Sequence, residues 1–600
     1  NADNLVTAIN VKAGYLHQYT FDSMGNLLTH RTPELRLHTY TYNGTNDLIT
    51  YTNPGGKTWT YTYTPSGALA EIDDPVRTTP VTRVVYNAHG EPIEEYDGEN
   101  LKTTKSYNSR GDITSVTAPD GTVTTSFYGA GLDFDKNRGN PLRATTPAGV
   151  TTSFVYDNWL RITDIYVGDN PSTPTYEGDR TQMEYNAESG VTKVTDGLGK
   201  INTVGYDARN QVVSTTNGKG ETETLTRDGR GFVTAITNGR GFTRSYEYSG
   251  RGEVVAMRMP GNLAPADPTE QFSWDSRGLL IGKTNALNQT VLYSYSDDGN
   301  LTTINYPSGT PTTFSYDVRN RRTSMVDVSG TTTWTYNDAD EITQIAQPNG
   351  VIGYEWRNNG QPFRRTEPGG VTVTTGYDSF GRATTVTRAD PSWNDVTTAA
   401  YDAFGRLATK TLQSGIREHY GYDALGRMNS VHVRNNAGTV THRSQTWTYD
   451  AAGNMANRTI NGVTTTYQYD NANQITRESR TGNVLEYTYD ANGNRLTKRV
   501  NGSLTQNFSY TSDDRLIANQ YGTITYDAAG RPTIYPTAGG NRHFTWDYDD
   551  RLIAYTQTMW GSTIQAYDYN GLGARVATRS TNSQVWNDLR NGTDVTSPVV

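Results

Sequence analysis

A six-residue pattern recurs along the chain: an aromatic residue, aspartate, two variable residues, glycine, then arginine or asparagine. Six copies match without a mismatch, and their fixed positions are Tyr377, Asp378 and Gly381; Tyr401, Asp402 and Gly405; Tyr422, Asp423 and Gly426; Tyr449, Asp450 and Gly453; Tyr489, Asp490 and Gly493; and Tyr526, Asp527 and Gly530. We call the first position the anchor. Degenerate copies extend the series of anchors to positions 21, 42, 63, 86, 107, 128, 156, 185, 206, 227, 248, 274, 295, 316, 336, 356, 377, 401, 422, 449, 469, 489, 510, 526, 548 and 569. The regular spacing of the anchors predicts a single repeat array rather than several domains.

Each copy has the features of a β-hairpin. Residues alternate in polarity before the anchor, as in TTTYQYD ending at Asp470, which is typical of a strand. The turn that follows has aspartate first and glycine fourth, so the carboxylate can accept a backbone N–H and glycine can take a positive φ. A second strand ends in a second turn, such as Asn461-Gly462. We call these two bends the anchor turn and the second turn.

The polarity of the chain determines how such hairpins assemble. Tyr occurs 41 times and Gly 59 times, yet only 34% of residues are hydrophobic. Twenty-six hairpins would give a sheet on the order of 250 Å long at about 4.8 Å per strand. A sheet of that size curls, and the low apolar content argues against a dry two-sheet sandwich. We therefore predict an all-β fold, a long antiparallel sheet of β-hairpin repeats spiralled into a hollow shell or tube.

Several classes of protein are disfavoured. The net charge is −9 and lysine and arginine are scattered, so we expect no nucleic-acid partner. The chain has no cysteine, and no apolar run approaches the 18 residues of a membrane span. It begins at Asn1 without methionine or a signal peptide, which indicates a processed product or a segment of a longer protein.

The repeat resembles that of the Rhs/YD-repeat family, which includes Rhs polymorphic toxins, B and C components of insecticidal toxin complexes, wall-associated proteins of Gram-positive bacteria and the teneurins. The resemblance runs from about Asn10 to about Arg579. It implies a spiralled cocoon, which in the toxin members encloses a C-terminal effector released by an aspartyl autoprotease.

The chain departs from the full toxin pattern. The family's protease region carries D-P-x-G-L, and none of Asp74-Pro75, Asp267-Pro268 and Asp390-Pro391 continues as x-G-L. No catalytic residue is therefore carried over, and we expect no enzyme activity. We predict one array of about 26 repeats over residues 1–600, from anchor Phe21 to anchor Tyr569, with no separate toxin or protease domain within it.

The remaining candidate chemistry has simpler explanations. The pairs Asp73-Asp74, Asp297-Asp298 and Asp513-Asp514 lie in or beside predicted turns, where aspartate is expected on backbone grounds. Residues 133–139 resemble a calcium loop, but their glycine is misplaced for an EF-hand, so we predict no metal and no cofactor. Trp159, Trp393 and Trp560 lie off the anchor positions and are candidates for sugar binding.

Two interactions are expected to support each turn. The arginine that follows the anchor aspartate by four residues can pair with it, as Arg382 can with Asp378. The anchor ring can pack on the ring of the next repeat while its hydroxyl stays free to bond.

Two functions remain open. The resemblance favours a structural shell that encloses a cargo polypeptide, such as a C-terminal effector, in a secreted bacterial polymorphic toxin. The alternative is a bacterial cell-surface adhesion protein that binds a glycan or another protein through loops in the long intervals, such as 128–156 and 422–449.

Overall fold

The fold is built from short strands joined by tight turns. The computed structural model describes residues 6–12, 15–128, 139–170, 172, 178–260, 269–557, 562–580 and 585–587. Over these residues the chain forms 55 strands and one short 3₁₀ turn at Pro368–Gly370. No helix in these ranges is long and apolar enough to cross a membrane.

The strands of the first half are β1 Ala8–Lys12, β2 Tyr15–Phe21, β3 Leu27–Arg31, β4 Leu37–Tyr42, β5 Leu48–Thr52, β6 Thr58–Tyr63, β7 Leu69–Asp73, β8 Thr82–Tyr86, β9 Pro92–Asp97, β10 Lys102–Tyr107, β11 Ile113–Thr117, β12 Val123–Phe127, β13 Arg143–Thr145, β14 Thr151–Tyr156, β15 Ile162–Val167, β16 Asp179–Tyr185, β17 Val191–Thr195, β18 Ile201–Tyr206, β19 Val212–Thr216, β20 Thr222–Arg227, β21 Val233–Thr237, β22 Thr243–Tyr248, β23 Val254–Arg258, β24 Glu270–Trp274, β25 Leu280–Asn285, β26 Thr290–Tyr295 and β27 Leu301–Asn305.

The strands of the second half are β28 Thr312–Tyr316, β29 Arg322–Asp327, β30 Gly330–Tyr336, β31 Ile342–Gln347, β32 Gly350–Trp356, β33 Pro362–Thr366, β34 Thr372–Tyr377, β35 Ala383–Asp390, β36 Trp393–Tyr401, β37 Leu407–Thr411, β38 Arg417–Tyr422, β39 Met428–Arg434, β40 Thr441–Tyr449, β41 Met455–Ile460, β42 Val463–Tyr469, β43 Ile475–Arg480, β44 Asn483–Tyr489, β45 Arg495–Val500, β46 Ser503–Asn507, β47 Ala518–Asn519, β48 Gly522–Thr523, β49 Thr525–Tyr526, β50 Pro532–Thr537, β51 Gly540–Trp546, β52 Leu552–Gln557, β53 Ser562–Tyr569, β54 Arg575–Ser580 and β55 Val585–Asn587.

Within each sheet, consecutive strands pair antiparallel and form a meander of hairpins. Strands β1 to β46 form a single 46-stranded sheet, β47 and β48 pair alone, and β49 to β55 form a seven-stranded sheet. The predicted all-β hairpin sheet is thus confirmed. One anchor was misplaced: the ring that ends β51 belongs to Trp546, and Tyr548 lies inside the turn that follows.

A β-bulge accompanies the anchors. In β34 and β35, Gly376 faces Thr385, but the next residue, Tyr377, faces Ala383, so Thr384 is an extra residue on the second strand. The same shift occurs beside Tyr401, Tyr422 and most other anchors. Bulges bend a strand and increase its twist. Because they recur at one edge of the ribbon, they favour continuous curling in one direction.

The ribbon winds into a spiral whose turns stack edge to edge. The second turn of the first repeat, at Thr32 and Glu34, bonds to Asp298 in the anchor turn of the thirteenth repeat. At the far end Asp327, in the second turn of repeat 14, bonds to Gly571 in the anchor turn of repeat 26. The separation along the chain falls from 266 to 244 residues between these contacts, yet both span twelve repeats. One revolution therefore contains twelve hairpins.

The wall is a single sheet with few buried apolar side chains. Among the described residues only eleven hydrophobic side chains are buried, and the one cluster they form contains Phe314, Met325, Trp334 and Ile345. The accessible surface is 31609 Å², against about 21,000 Å² for a compact monomer of the same mass. That excess is expected of a single sheet with solvent on both faces.

Candidate functional site: the repeat turns and the seam between spiral turns

The anchor turn is closed by its aspartate. Asp378 Oδ1 accepts the N–H of Phe380 at 3.0 Å and that of Arg382 at 2.9 Å, and Oδ2 accepts Arg382 Nε at 2.9 Å. The turns at Asp402, Asp423 and Asp527 repeat the predicted pairing of carboxylate and arginine. Partial burial opposes ionisation, but the backbone N–H donors and Arg382 hold the pKa of the Asp378 carboxyl below its ordinary value.

The fourth turn residue has a positive φ. Gly381, Gly405, Gly426, Gly453, Gly493 and Gly530 have φ between 76° and 84°. Copies without this glycine keep the conformation, because Asn210 (φ 58°), Asn320 (φ 64°) and Asn473 (φ 61°) take its place. Asparagine tolerates this region better than other side chains.

The anchor hydroxyl donates to the preceding hairpin. Tyr401 Oη bonds to the carbonyl of Ala383 at 2.6 Å. That carbonyl lies beyond the last ladder pair between β35 and β36, Thr385 with Thr398. Equivalent bonds run from Tyr377 to Pro362, Tyr422 to Leu407, Tyr449 to Met428, Tyr489 to Ile475 and Tyr526 to Leu516.

Tryptophan and arginine anchors keep this donor. Trp274 Nε1 bonds to Val254 O at 2.8 Å, and Arg227 Nε bonds to Val212 O at 3.2 Å. Apart from Phe21, whose ring carries no donor, the anchor position is thus filled by a flat side chain that carries an N–H or O–H. Sequence reasoning missed this shared feature, although the exchange of tyrosine for tryptophan and arginine was its signal.

A guanidinium, rather than a second anchor ring, covers the anchor ring. Arg382 lies 4.7 Å above the Tyr401 ring, and Arg406 lies 4.2 Å above that of Tyr422. Each arginine thus pairs with the aspartate of its own turn and covers the anchor of the next repeat. Burial raises the pKa of Tyr401 above its ordinary value.

Between successive spiral turns lies a seam, defined here as the contact of second turns with the anchor turns twelve repeats later. Its ion pairs are Arg36 with Asp298 (3.2 Å), Lys57 with Asp338 (2.6 Å), Arg77 with Glu341 (2.5 Å), Glu99 with Arg357 (2.8 Å), Asp120 with Arg382 (2.9 Å), Lys219 with Asp470 (3.7 Å) and Arg240 with Asp514 (2.7 Å). In two of these pairs the partner lies thirteen repeats later: Lys57 of repeat 2 pairs with Asp338 of repeat 15, and Arg240 of repeat 10 pairs with Asp514 of repeat 23. Arg240 also reaches Asp490, twelve repeats later, at 3.3 Å.

The two edges meet closely. A Cβ added to Gly197 would overlap the carbonyl of Ala451, and one added to Gly218 would overlap that of Asn471. Although burial opposes ionisation at Asp514, its bonds to Asn492, Arg240 and Asn494 hold the pKa of that carboxyl below its ordinary value. These features make the seam a joint between polar turns.

The acidic pairs lie in or beside turns, as predicted. In two of the pairs, one aspartate also takes part in the seam. Asp298 bonds to Thr32 and Glu34, and Asp514 bonds to Arg240. Asp74 pairs with Arg77, which continues across the seam to Glu341. Neither hairpin pattern nor spacing indicated these contacts, because their partners lie about 260 residues away.

Trp159 and Trp393 lie on different elements. Trp159 is 79% exposed in the anchor turn of Asp157, and Trp393 is 41% exposed on β36 beneath Arg388 at 5.2 Å. Trp560 lies outside the described residues, and so do residues 133–138 of the calcium-like segment. The described residues contain no cluster of three metal-ligating side chains.

Comparison with known proteins agrees with the repeat pattern. The family model described as RHS Repeat matches residues 42–79, 86–123, 206–243, 274–311, 295–332, 316–352 and 401–440. Over 128 residues the chain is 30% identical to the tRNA nuclease WapA of Bacillus subtilis strain 168 and to the tRNA3(Ser)-specific nuclease WapA of Bacillus spizizenii. The match covers 21% of this chain and 5% of those relatives.

Two solved structures share the fold. The crystal structure of TcdB2-TccC3 without its hypervariable C-terminal region aligns with a TM-score of 0.59 at 12% identity, over 95% of this chain and 34% of that one. That of TcdB2-TccC3-TEV aligns with a TM-score of 0.52 at 12% identity, over 96% and 41%. The chain therefore spans about two fifths or less of the length of these structures and a twentieth of the curated relatives.

Proposed function

Since this chain belongs to the RHS-repeat family, we propose that it forms the wall of a shell that encloses a polypeptide cargo, such as a toxin effector, in a secreted bacterial polymorphic toxin. The observation that carries this proposal is the constant twelve-repeat revolution. A ribbon that returns to its own edge after a fixed number of hairpins surrounds a lumen.

The dimensions of the lumen follow from strand geometry. Twelve hairpins contribute about 24 strands, so the circumference is about 115 Å and the distance between opposite walls about 37 Å. Side chains reduce the free width to about 27 Å. A folded domain of 100 residues has a radius of gyration of about 13 Å and would fit poorly, so we infer that the cargo is small or incompletely folded.

The wall itself supports a passive role. The aspartates and arginines of the turns are already engaged in closing hairpins and in joining successive spiral turns at the seam. We propose that the chain encloses without catalysing a reaction, acting through volume and surface polarity. We propose that the repeats form a single array and that any toxin or protease is a further part of a longer protein.

Protection of the cargo tests this proposal. The complete natural gene product would be purified, imaged by cryo-electron microscopy, and digested with a protease with and without the seam substitution Arg240→Ala. We expect density in the lumen and a protected fragment that becomes cleavable when the seam is weakened. The matched control is Arg230→Ala, whose arginine pairs within its own turn with Asp228. An empty lumen, or a cargo cleaved as fast as free polypeptide, would contradict encapsulation.

One observation favours a second function, binding at a cell surface. Trp159 presents a ring that is 79% exposed at the tip of a turn, and such a side chain suits a glycan or protein partner. Binding of the chain to bacterial or host cells that is lost in Trp159→Ala, without cargo in the lumen, would favour adhesion over encapsulation.

A further inference from the structure

A cavity of about 680 Å³ interrupts the seam near the end of the chain. The second turns of repeats 13 and 14 contribute Tyr306, Ser308 and Asp327, and the anchor turns of repeats 25 and 26 contribute Tyr548 and Asn570. Cavities of about 300–1,000 Å³ are the size that binds small organic ligands.

An unpartnered amide lies in the wall of this cavity. Asn570 is only 2% exposed, and its Nδ2 lacks a hydrogen-bond partner. Its Oδ1 accepts the N–H groups of Leu572 and Ala574, as the aspartate oxygen does in other anchor turns. A buried amide without a partner costs about 1–3 kcal/mol, which an acceptor on a ligand would recover.

The departure from the repeat pattern explains the free amide. In many anchor turns an aspartate at this position binds the arginine four residues on, as Asp547 Oδ2 accepts Arg551 Nε at 2.6 Å. Where asparagine replaces it, as at Asn337, the Nδ2 donates to the acidic side chain four residues on, here Glu341 at 2.7 Å. Repeat 26 has Asn570 and Ala574 instead, so both the carboxylate and its cation are missing. The change leaves a donor and open space where other turns are filled.

The site is held rigidly. Gly571 N donates to Asp327 Oδ2 at 2.5 Å across the seam, and a Cβ on Gly571 would overlap Thr312. Tyr306 and Tyr548 stack with centroids 6.4 Å apart, and Tyr548 Oη lies 2.6 Å from Ser308 Oγ. The cavity is therefore formed before any ligand arrives.

The charges around the cavity select the class of ligand. Arg551 is paired with Asp547 and Asp549, and Arg579 with Asp568. Cations are thus already neutralised by carboxylates, which disfavours an anionic ligand. Tyrosine faces pack against the C–H groups of sugars, and sugar hydroxyls can accept from the Asn570 amide.

We propose that this cavity binds a neutral saccharide of one or two rings, with the Asn570 amide donating to a sugar hydroxyl and the Tyr306–Tyr548 pair supporting a ring. The site is independent of cargo enclosure, because it lies in the seam between two spiral turns rather than depending on what fills the lumen.

The test uses the 600-residue chain and saturation-transfer NMR with maltose, cellobiose, lactose and N,N′-diacetylchitobiose, alongside glucuronate and inorganic phosphate. We expect saturation transfer to at least one neutral disaccharide. The double substitution Asn570→Asp with Ala574→Arg restores the pattern of the other turns and should reduce binding at least tenfold without lowering thermal stability. Asn454→Arg makes the same kind of change in repeat 20 and should leave binding unchanged.

Three results would overturn the proposal: no transfer to any neutral disaccharide, tighter binding of glucuronate or phosphate, or equal binding by the double variant. Tyr548→Ala provides a second variant in case the double variant does not fold. If Tyr548→Ala folds and still binds as the unaltered chain does, the assignment of the ring wall is wrong.

Discussion

At the residue scale, each anchor position combines a ring, a donor and a cation. The sequence predicted the aspartate acceptor and its arginine partner, because both act within one turn of six residues. It did not predict that Arg382 covers Tyr401 or that Tyr401 donates to Ala383. Those contacts join one repeat to another, and the Ala383 carbonyl that accepts the bond lies beyond the last ladder pair between β35 and β36.

The anchor hydrogen bond can be measured by removing a single oxygen. Tyr401→Phe should lower the local free energy of opening by about 1 kcal/mol, since it leaves the Ala383 carbonyl without its donor. Hydrogen exchange of β35 and β36 is the measurement. Tyr521→Phe, at a tyrosine that is 52% exposed, is the control and should leave exchange unchanged. Equal exchange in both variants would show that the ring alone matters.

Stacked histidines near the start of the chain should make its stability depend on pH. His17 Nδ1 and His30 Nε2 are 3.0 Å apart, and the His30 and His38 rings are 5.3 Å apart. Burial, followed by the neighbouring histidines, lowers the pKa of His30, and burial lowers that of His38 against the opposing effect of Asp298. The unfolded chain then binds more protons, so stability is retained above about pH 6.5 and declines as the pH falls below it.

Exchange rates of β2 to β5 between pH 7.5 and 5.5 test this dependence. We expect opening to increase as the pH falls, and the double substitution His30→Gln with His38→Gln to flatten the profile. A profile of the same slope in the variant would assign the pH effect to other groups.

At the element scale, the hairpins could be predicted and the register of their ends could not. Alternation fixes which residues form strands, but the extra residue Thr384 depends on how two strands meet. The same ambiguity misplaced the anchor at Tyr548, because WDYDD contains two aromatic residues followed by aspartate. The structure selects Trp546 because its N–H reaches Pro532 O at 2.8 Å.

One anchor turn carries measurable backbone strain. Leu160 has φ of 65°, where other copies have glycine, asparagine, aspartate or serine, and this conformation costs a branched side chain about 1–2 kcal/mol. Leu160→Gly should therefore raise the thermal midpoint despite the loss of a leucine. The control is Leu198→Gly, an exposed leucine that precedes Gly199 in a second turn, which should be neutral or destabilising. A lower midpoint for Leu160→Gly would show that packing of the leucine outweighs the strain.

At the scale of the whole molecule, the polarity of the chain predicted winding, whereas the number of repeats per revolution had no local signal. Contacts between successive spiral turns, such as the pair of Arg240 with Asp514, define the number of repeats per revolution. Arg240→Ala should increase hydrogen exchange in repeat 10 and in repeats 22 and 23 together, by about 1–3 kcal/mol of opening free energy. Arg230→Ala removes a similar arginine that bonds along the ribbon, so its effect should stay within neighbouring repeats.

Deleting whole repeats separates the seam from the hairpins. In a linear array, stability depends only on neighbouring repeats, so any one hairpin costs about the same to remove. Residues 42–62 and 295–315 are both anchor-to-anchor segments of repeats 2 and 13. Loss of repeat 2 removes one second turn and shifts the seam partner of only one other, that of repeat 1, whereas loss of repeat 13 shifts every second turn from the first to the twelfth repeat onto a different anchor turn. Arg36 would then face the turn after Tyr316 instead of Asp298. We expect the second deletion to lower the thermal midpoint far more than the first; equal losses would mean that the ribbon is stabilised by its ladder alone and that the spiral contributes nothing.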